Sequence, residues 1–235
     1  MLFYQKEGGY CFNSDTHFLY DFISRFSPRG EVLDVGSGCG ILGLLVARDF
    51  KINLTQIDIQ DENIFLTEKN AKINKIQSNV LKEDFSKAPF RNRFDFVISN
   101  PPFYHDNHLK SENIHLNISR YASNLPLEDF IKSASLALKP KGRFIFCYDP
   151  KSMDRVFFYL DSFKLKAEVV RFVHPNRAKR ANLVMICARK NSKSFLEVLP
   201  PLIAHEGGEF SKEAMEIFKK TKTHSIKCDL GGEFE

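Results

Sequence analysis

Tryptophan is missing from this chain of 235 residues, and no repeat, low-complexity tract or linker-like stretch divides it. Cysteine is sparse as well. The five (Cys11, Cys39, Cys147, Cys187 and Cys228) are odd in number, scattered, and never form a CxxC pair. That argues against a disulfide framework and a zinc knuckle, and fits a reducing cytoplasm. No window reaches about 18 consecutive apolar residues, so no membrane span is expected. The opening MLFYQKEGGY has no basic segment leading into an apolar run and does not read as a signal peptide. Charge of one sign is only slightly in excess. The net +5 suits a polyanionic partner such as RNA without singling one out.

What is present is the material of a single α/β domain spanning residues 1–235, with 43% hydrophobic residues and a core rich in phenylalanine. Short β-like runs alternate with helical segments. Asp15 to Phe26 reads as a helix behind the potential caps Asn13, Ser14 and Asp15, with Phe18, Leu19, Phe22, Ile23 and Phe26 at helical spacing. Strands are expected at Glu31–Val35, Ile52–Ile59, Ile76–Leu81, Phe94–Ser99 and Arg143–Tyr148. A terminal strand pair is expected at Lys164–Val173 and Ala181–Arg189. Helices are expected at 41–50, 61–74, 126–138 and 151–163, with Lys139-Pro140-Lys141-Gly142 ending the third. Alternation of this kind implies βαβ crossovers and a mostly parallel sheet whose ligand lies at the carboxyl ends of the strands.

Those strand ends carry the candidate chemistry. The first runs into Asp34-Val35-Gly36-Ser37-Gly38-Cys39-Gly40, a turn followed by a helix N-terminus. A dinucleotide loop wants a third glycine at position 41, which is Ile41 here. Asp34 repels a pyrophosphate and attracts the ammonium of a methionine moiety, which favours S-adenosylmethionine over NAD. The second strand carries Asp58, 24 positions beyond Asp34, placed either to accept both ribose hydroxyls or to cap the next helix. Asp84 follows the third strand, as an acceptor for the cofactor's adenine or as a solvated loop acid.

Asn100-Pro101-Pro102-Phe103 at the end of the fourth strand is the most specific signal. Two prolines fix the backbone and turn its carbonyls outward. The Asn100 amide oxygen and the Pro101 carbonyl are two acceptors, and Phe103 is a flat apolar face. Together they fit a planar group bearing an NH₂. An aryl amine is a poor nucleophile because its lone pair is delocalised. Acceptors taking both its protons localise that pair toward a sulfonium methyl, so positioning and electrostatics supply most of the acceleration.

These residues resemble the class I amino-methyltransferases that carry the [DNS]PP[YFW] motif. Along most of its length the chain is similar to the tRNA1(Val) adenine-N6 methyltransferase family. The similarity runs through Gln5–Phe22 with Gly9-Tyr10-Cys11-Phe12-Asn13-Ser14-Asp15, Phe94–Phe103, Arg171-Phe172-Val173-His174-Pro175 with Ala181–Val184, and Leu199-Pro200-Pro201-Leu202. The resemblance implies a Rossmann-like fold: a seven-stranded, mostly parallel sheet with one antiparallel strand and helices on both faces. Residues 1–30 would form a segment and helix over the cofactor site, 31–190 the core, and 191–235 a C-terminal tail. S-adenosylmethionine would lie on Asp34, Gly36, Ser37, Gly38 and Gly40 at its methionine end, Asp58 at its ribose and Asp84 at its adenine. Asn100 and Pro101 would hold the target amine of an adenine beside a tRNA anticodon, with Pro102 completing the motif and Phe103 stacking on the base. The chain departs from the pattern in having Phe103 where Tyr is frequent. It also has only Arg120-Tyr121 where an Arg-His-Glu run is common.

A base must leave its stack to be reached, and Phe103 and Tyr104 offer aromatic faces for it. Arg171, His174, Arg177, Lys179 and Arg180 cluster around the last turn, as phosphate contacts or as a solvated hairpin tip. His105, His108 and His115 match no zinc spacing, so no metal is expected. Alternatives remain. A glutamine-N5 methyltransferase of protein factors uses a similar motif but usually carries a helical domain before the glycine loop, where 33 residues stand here. A guanine-N2 rRNA enzyme usually carries an additional domain. A non-catalytic RNA-binding protein of the same fold is disfavoured by the intact glycine loop and motif.

Overall fold

The computed structural model describes residues 1–9, 11–101 and 125–230. Strand β1 (Leu2–Lys6) precedes helix α1 (Ser14–Ser24), where Asn13 accepts a hydrogen bond from the Asp15 N–H at 3.0 Å. The helical spacing of Phe18, Leu19, Phe22 and Ile23 puts all four on a fully buried face. Strands β2 (Gly30–Val35), β3 (Ile52–Asp58), β4 (Asn79–Lys82), β5 (Phe94–Ser99) and β6 (Leu138–Tyr148) lie parallel in the order β4-β3-β2-β5-β6. Helices α2 (Ile41–Asp49) and α3 (Asp61–Ile73) follow β2 and β3, and α4 (Leu127–Ala137) leads into β6. After β6 come α5 (Met153–Ser162), β7 (Leu165–His174) and β8 (Leu183–Lys190). Strand β8 inserts between β6 and β7 and runs antiparallel to both, the one reversal expected.

Two local findings differ from the sequence expectation. Ile76 belongs to the cap of α3 rather than to a strand: Lys75 turns left-handed (φ 56°), its N–H reaches the Lys72 carbonyl, and the Ile76 N–H reaches the Ala71 carbonyl. Those two bonds close a Schellman motif, so the strand starts later. Lys139–Gly142 form an irregularity inside β6, between the pairs Phe94–Leu138 and Phe96–Arg143, rather than a loop before it.

Among the described residues the seven expected strands of the sheet, β2 to β8, are joined by two more. Two-residue strands β9 (Glu197–Val198) and β10 (Leu202–Ile203) cover the outer edge of β7, where Leu199 and Ala204 N–H groups bond the Val170 and His174 carbonyls. Residues 191–230 are therefore more than a tail. They continue into a small hairpin of β11 (His205–Glu206) and β12 (Glu209–Phe210), then α6 (Lys212–Thr221) and β13 (His224–Cys228).

Strand β13 pairs parallel with β1, joining the two ends of the chain. The other side of β1 is held by two asparagines one turn apart, Asn70 on α3 and Asn74 at its C-cap. Asn70 bonds the Tyr4 N–H and C=O (2.8 and 2.9 Å), and Asn74 bonds those of Leu2 (3.0 and 2.7 Å). Each side-chain amide thus substitutes for a strand partner. Apolar side chains fill both faces of the main sheet. Helices α1, α2 and α6 close one side around Val32, Phe96 and Ile98. Helix α4 closes the other, its Phe130 ring lying edge-on to Phe144 and Phe146 at 5.1 and 5.6 Å. Strand order reverses between β2 and β5, and at that switch point the carboxyl ends open a crevice.

Candidate active site

The crevice opens to solvent as a cavity of about 980 Å³, the space at its mouth included. It is lined by Asp34, Gly36, Ser37, Gly38, Asp58, Asp84 and Asn100 from the sequence-predicted set, joined by Phe12, Thr16 and Phe85. Gly36 and Gly38 both take left-handed backbone (φ 66° and 58°), and a Cβ on either would meet no atom within 4 Å. The loop therefore exposes bare backbone to the cavity. Ser37 and Gly40 N–H groups are tied to Ile57 and Ser37 carbonyls, which shapes the turn. Gly40 itself stands outside the lining. It precedes α2 at φ 84°, where a Cβ would press on Thr67 at 3.0 Å, so its need for glycine is structural.

Asp34 is 1% exposed. Its Oδ2 accepts from the Gly43 N–H at 2.9 Å and from Gln56 Nε2 at 3.0 Å. Burial raises its carboxyl to about 7; the two hydrogen bonds restrain that rise, and the nearby Asp58 charge adds to it. An acid poised there becomes a better anion as soon as a cation enters the cavity. Gly43 is the point of closest approach, since a Cβ would sit 2.8 Å from Asp34 Oδ2. Neither Gly43 nor Gln56 was singled out from sequence. The available signal is weak, a Gln in the middle of a strand Ile52–Ile59 that also holds Asn53, Thr55 and Asp58.

Asp58 has both carboxylate oxygens engaged within the protein. Its Oδ2 accepts from the Gly38 N–H at 2.9 Å, while Oδ1 accepts from the Gln60 N–H and from Asn63 Nδ2, each at 3.0 Å. It thereby ties the glycine loop to the start of α3, and burial raises its carboxyl. Asp84 forms a turn on itself, Oδ1 accepting from the Ser86 N–H and Oγ and Oδ2 pairing with Lys87 at 2.9 Å. The Ser86 hydroxyl and then Lys87 hold its carboxyl below the usual range despite partial burial, so it faces the cavity as an anion.

Asn100 follows β5 directly. Its Nδ2 donates to Thr16 Oγ1 at 3.1 Å, and its Oδ1 accepts from Cys147 Sγ at 2.9 Å. Thr16 lies in the first turn of α1, so this contact ties the N-terminal helix to the motif. Pro101 is buried but does not line the cavity. Pro102, Phe103 and Tyr104, with His105, His108, His115 and the Arg120-Tyr121 pair, lie outside the described residues.

The β7–β8 turn stands at the same carboxyl edge, because Val184 at the start of β8 pairs with Tyr148 at the end of β6. On it Arg177 is engaged by Glu206 at 2.7 Å, whereas Lys179 and Arg180 have no ion-pair partner among the described residues. Arg171 is 5% exposed, bonded to Glu213 and to the Pro200 carbonyl, and so is structural rather than a phosphate contact. Among the described residues no group of His, Cys, Asp or Glu is placed to hold a metal ion. No described helix is long and apolar enough to cross a membrane.

Over 118 residues the chain is 32% identical to a tRNA1(Val) (adenine(37)-N6)-methyltransferase of Parabacteroides distasonis, covering 48% of each protein. Over 99 residues it is 27% identical to a release factor glutamine methyltransferase of Flavobacterium psychrophilum, covering 41% of this chain and 34% of that one. The chain thus spans about half or less of the length of these curated relatives. A crystal structure described as a predicted O-methyltransferase from Agrobacterium tumefaciens superposes with a TM-score of 0.70 at 19% identity, covering 91% of this chain and 99% of its own. It shares the fold. Residues 12–163, from the segment before α1 through α5, match the Methyltransferase small domain family, and the chain belongs to that family.

Proposed function

We propose that this protein transfers a methyl group from S-adenosylmethionine to N6 of an adenine in RNA, with tRNA as the acceptor. The observation that carries this reading is the placement of Asn100. Its amide stands at the carboxyl end of β5, on the same cavity as a glycine loop and the acidic side chains of Asp34, Asp58 and Asp84. S-adenosylmethionine supplies an electrophilic sulfonium methyl when bound. The residues present fit it: Asp34 is a buried acid that gains from a neighbouring ammonium, Gly36 and Gly38 leave backbone open beside it, and Asp58 and Asp84 offer acceptors toward ribose and adenine.

On the acceptor side, Asn100 Oδ1 accepts a hydrogen bond from the target amine, and the carbonyl of Pro101, next in the chain though outside the cavity lining, is the proposed acceptor for its second proton. With those protons held, the nitrogen lone pair would be localised for attack on a bound sulfonium methyl, a new N–CH₃ bond replacing the S–CH₃ bond. The methylated nitrogen then carries one proton too many and sheds it to water. Preorganised acceptors of this kind lower a barrier without moving during the reaction.

Lys179 and Arg180 at the same edge support a polyanionic acceptor. The names of the relatives support two acceptors, an adenine in tRNA and a glutamine side chain, since both present a planar NH₂. Incubation with labelled S-adenosylmethionine and, separately, total tRNA, rRNA and release factor distinguishes them. Label in tRNA that elutes as N6-methyladenosine is the expected result; label only in the protein factor moves the acceptor to glutamine.

A further inference from the structure

A side-chain amide is nearly symmetric in shape but not in chemistry. Turned over, Asn100 exchanges its oxygen for an NH₂. In that orientation it presents donors to a target amine that is itself a donor, and the grip is lost. Something must choose the face.

Two neighbours contact the amide, Cys147 on β6 and Thr16 on α1. Register pairs Ser99 with Phe146, which brings Cys147 of β6 beside Asn100. The Cys147 side chain is fully buried, and that burial pushes its thiol well above the ordinary value, so it remains S–H and donates. Its partner is Asn100 Oδ1 at 2.9 Å. Thr16, 2% exposed on α1, faces Asn100 Nδ2 at 3.1 Å, and its hydroxyl oxygen accepts. A carbonyl-type oxygen has two lone pairs, so the thiol occupies one and leaves the other for the amine.

We propose that Cys147 and Thr16 are positioning residues that clamp the Asn100 amide between a thiol donor and a hydroxyl, holding its oxygen as the acceptor for the target amine. The proposal rests on the role given to Asn100 above. Neither residue belongs to the glycine loop or to the Asn-Pro-Pro-Phe motif.

The test compares full-length variants in methyl transfer to total tRNA lacking the modification, with S-adenosylmethionine affinity measured by calorimetry. Cys147→Ala is expected to lower turnover roughly 10-fold or more while cofactor affinity stays within about twofold. Cys147→Ser keeps a donor and is expected to recover most of the loss. Thr16→Val and Thr16→Ser form the matching pair, and they answer the question alone if Cys147→Ala does not fold.

The Asn100→Ala background separates positioning from mere packing, because there Cys147→Ala is expected to lower turnover no further. A readout independent of the acceptor is the Asn100 side-chain amide in ¹⁵N NMR, with an order parameter near the rigid limit of about 0.85 that falls in either variant. Parental turnover and an unchanged order parameter in both Cys147→Ala and Thr16→Val overturn the clamp and leave the role of Asn100 standing. So does an equal loss from Cys147→Ala in both backgrounds. Full activity of Asn100→Ala overturns the role and the clamp together.

Discussion

Replacing Gln56 by Leu removes the Nε2 hydrogen bond to Asp34 while leaving the Gly43 N–H in place. A hydrogen bond to a charged group contributes about 1.5–3 kcal/mol, and each pH unit corresponds to about 1.4 kcal/mol. The Asp34 carboxyl, already raised to about 7, is therefore expected to rise by a further ~1–2 units. Because the folded-state value lies above the unfolded one, the unliganded protein is expected to lose stability as pH climbs from about 4 toward 7, with no further loss beyond.

Cofactor affinity has the opposite trend if Asp34 meets the cofactor's ammonium. It improves as the carboxyl ionises and reaches a plateau above pH 7. At pH 7.5 the parent is mostly ionised and Gln56→Leu mostly protonated, which weakens binding roughly tenfold. Calorimetry from pH 5.5 to 9.5 reads the midpoint, and buffers of different ionisation enthalpy read the proton released on binding below it. Ser78→Ala is the control: its hydroxyl bonds the other end of Gln56, and the midpoint should not move. Identical midpoints in parent and Gln56→Leu, or a pH-independent affinity in the parent, would refute the reasoning.

Gly43→Ala forces a Cβ to within 2.8 Å of both Asp34 Oδ2 and Gln56 Nε2, so a destabilisation of about 1–3 kcal/mol is expected in denaturant melts. Unchanged stability there would show that α2 can move away from β2. Asp58→Ala frees the Gly38 N–H and the start of α3 together. Cofactor binding should weaken and amide exchange in the glycine loop should quicken, whereas slow exchange with weak binding would confine Asp58 to the ligand. Neutralising Lys179 and Arg180 should reduce the salt slope of RNA binding by about one unit per residue. The same change at Arg177 should have less effect because Glu206 already engages it, and equal slopes in all variants argue for a merely solvated turn.

The parts of this fold that announce themselves in sequence are those with a local cause. The core strands and helices follow from apolar periodicity. The crevice follows from Asp34-to-Gly40, Asp58 and Asn100 falling at strand ends. Ile76 resembles a strand residue in sequence because an apolar residue looks alike in a cap and in a ladder; only the left-handed turn at Lys75 tells them apart. β9, β10 and β13 were invisible for another reason. They are two to five residues long and are defined by partners far away in sequence, β7 for two of them and β1 for the third. Thr16 and Cys147 are of that kind too. Nothing in a threonine one turn into a helix, or a cysteine near the end of a strand, points to Asn100 until the chain brings them within hydrogen-bonding distance.

The central claim is that Asn100 holds a target amine for methyl transfer. It is tested most directly by comparing parent and Asn100→Ala protein in the transfer of label from S-adenosylmethionine to unmodified tRNA, with cofactor affinity measured on the same preparations. The account predicts labelled N6-methyladenosine from the parent, a loss of about 100-fold or more in the variant, and cofactor affinity nearly unchanged. Label appearing at the parental rate with Asn100→Ala would contradict it.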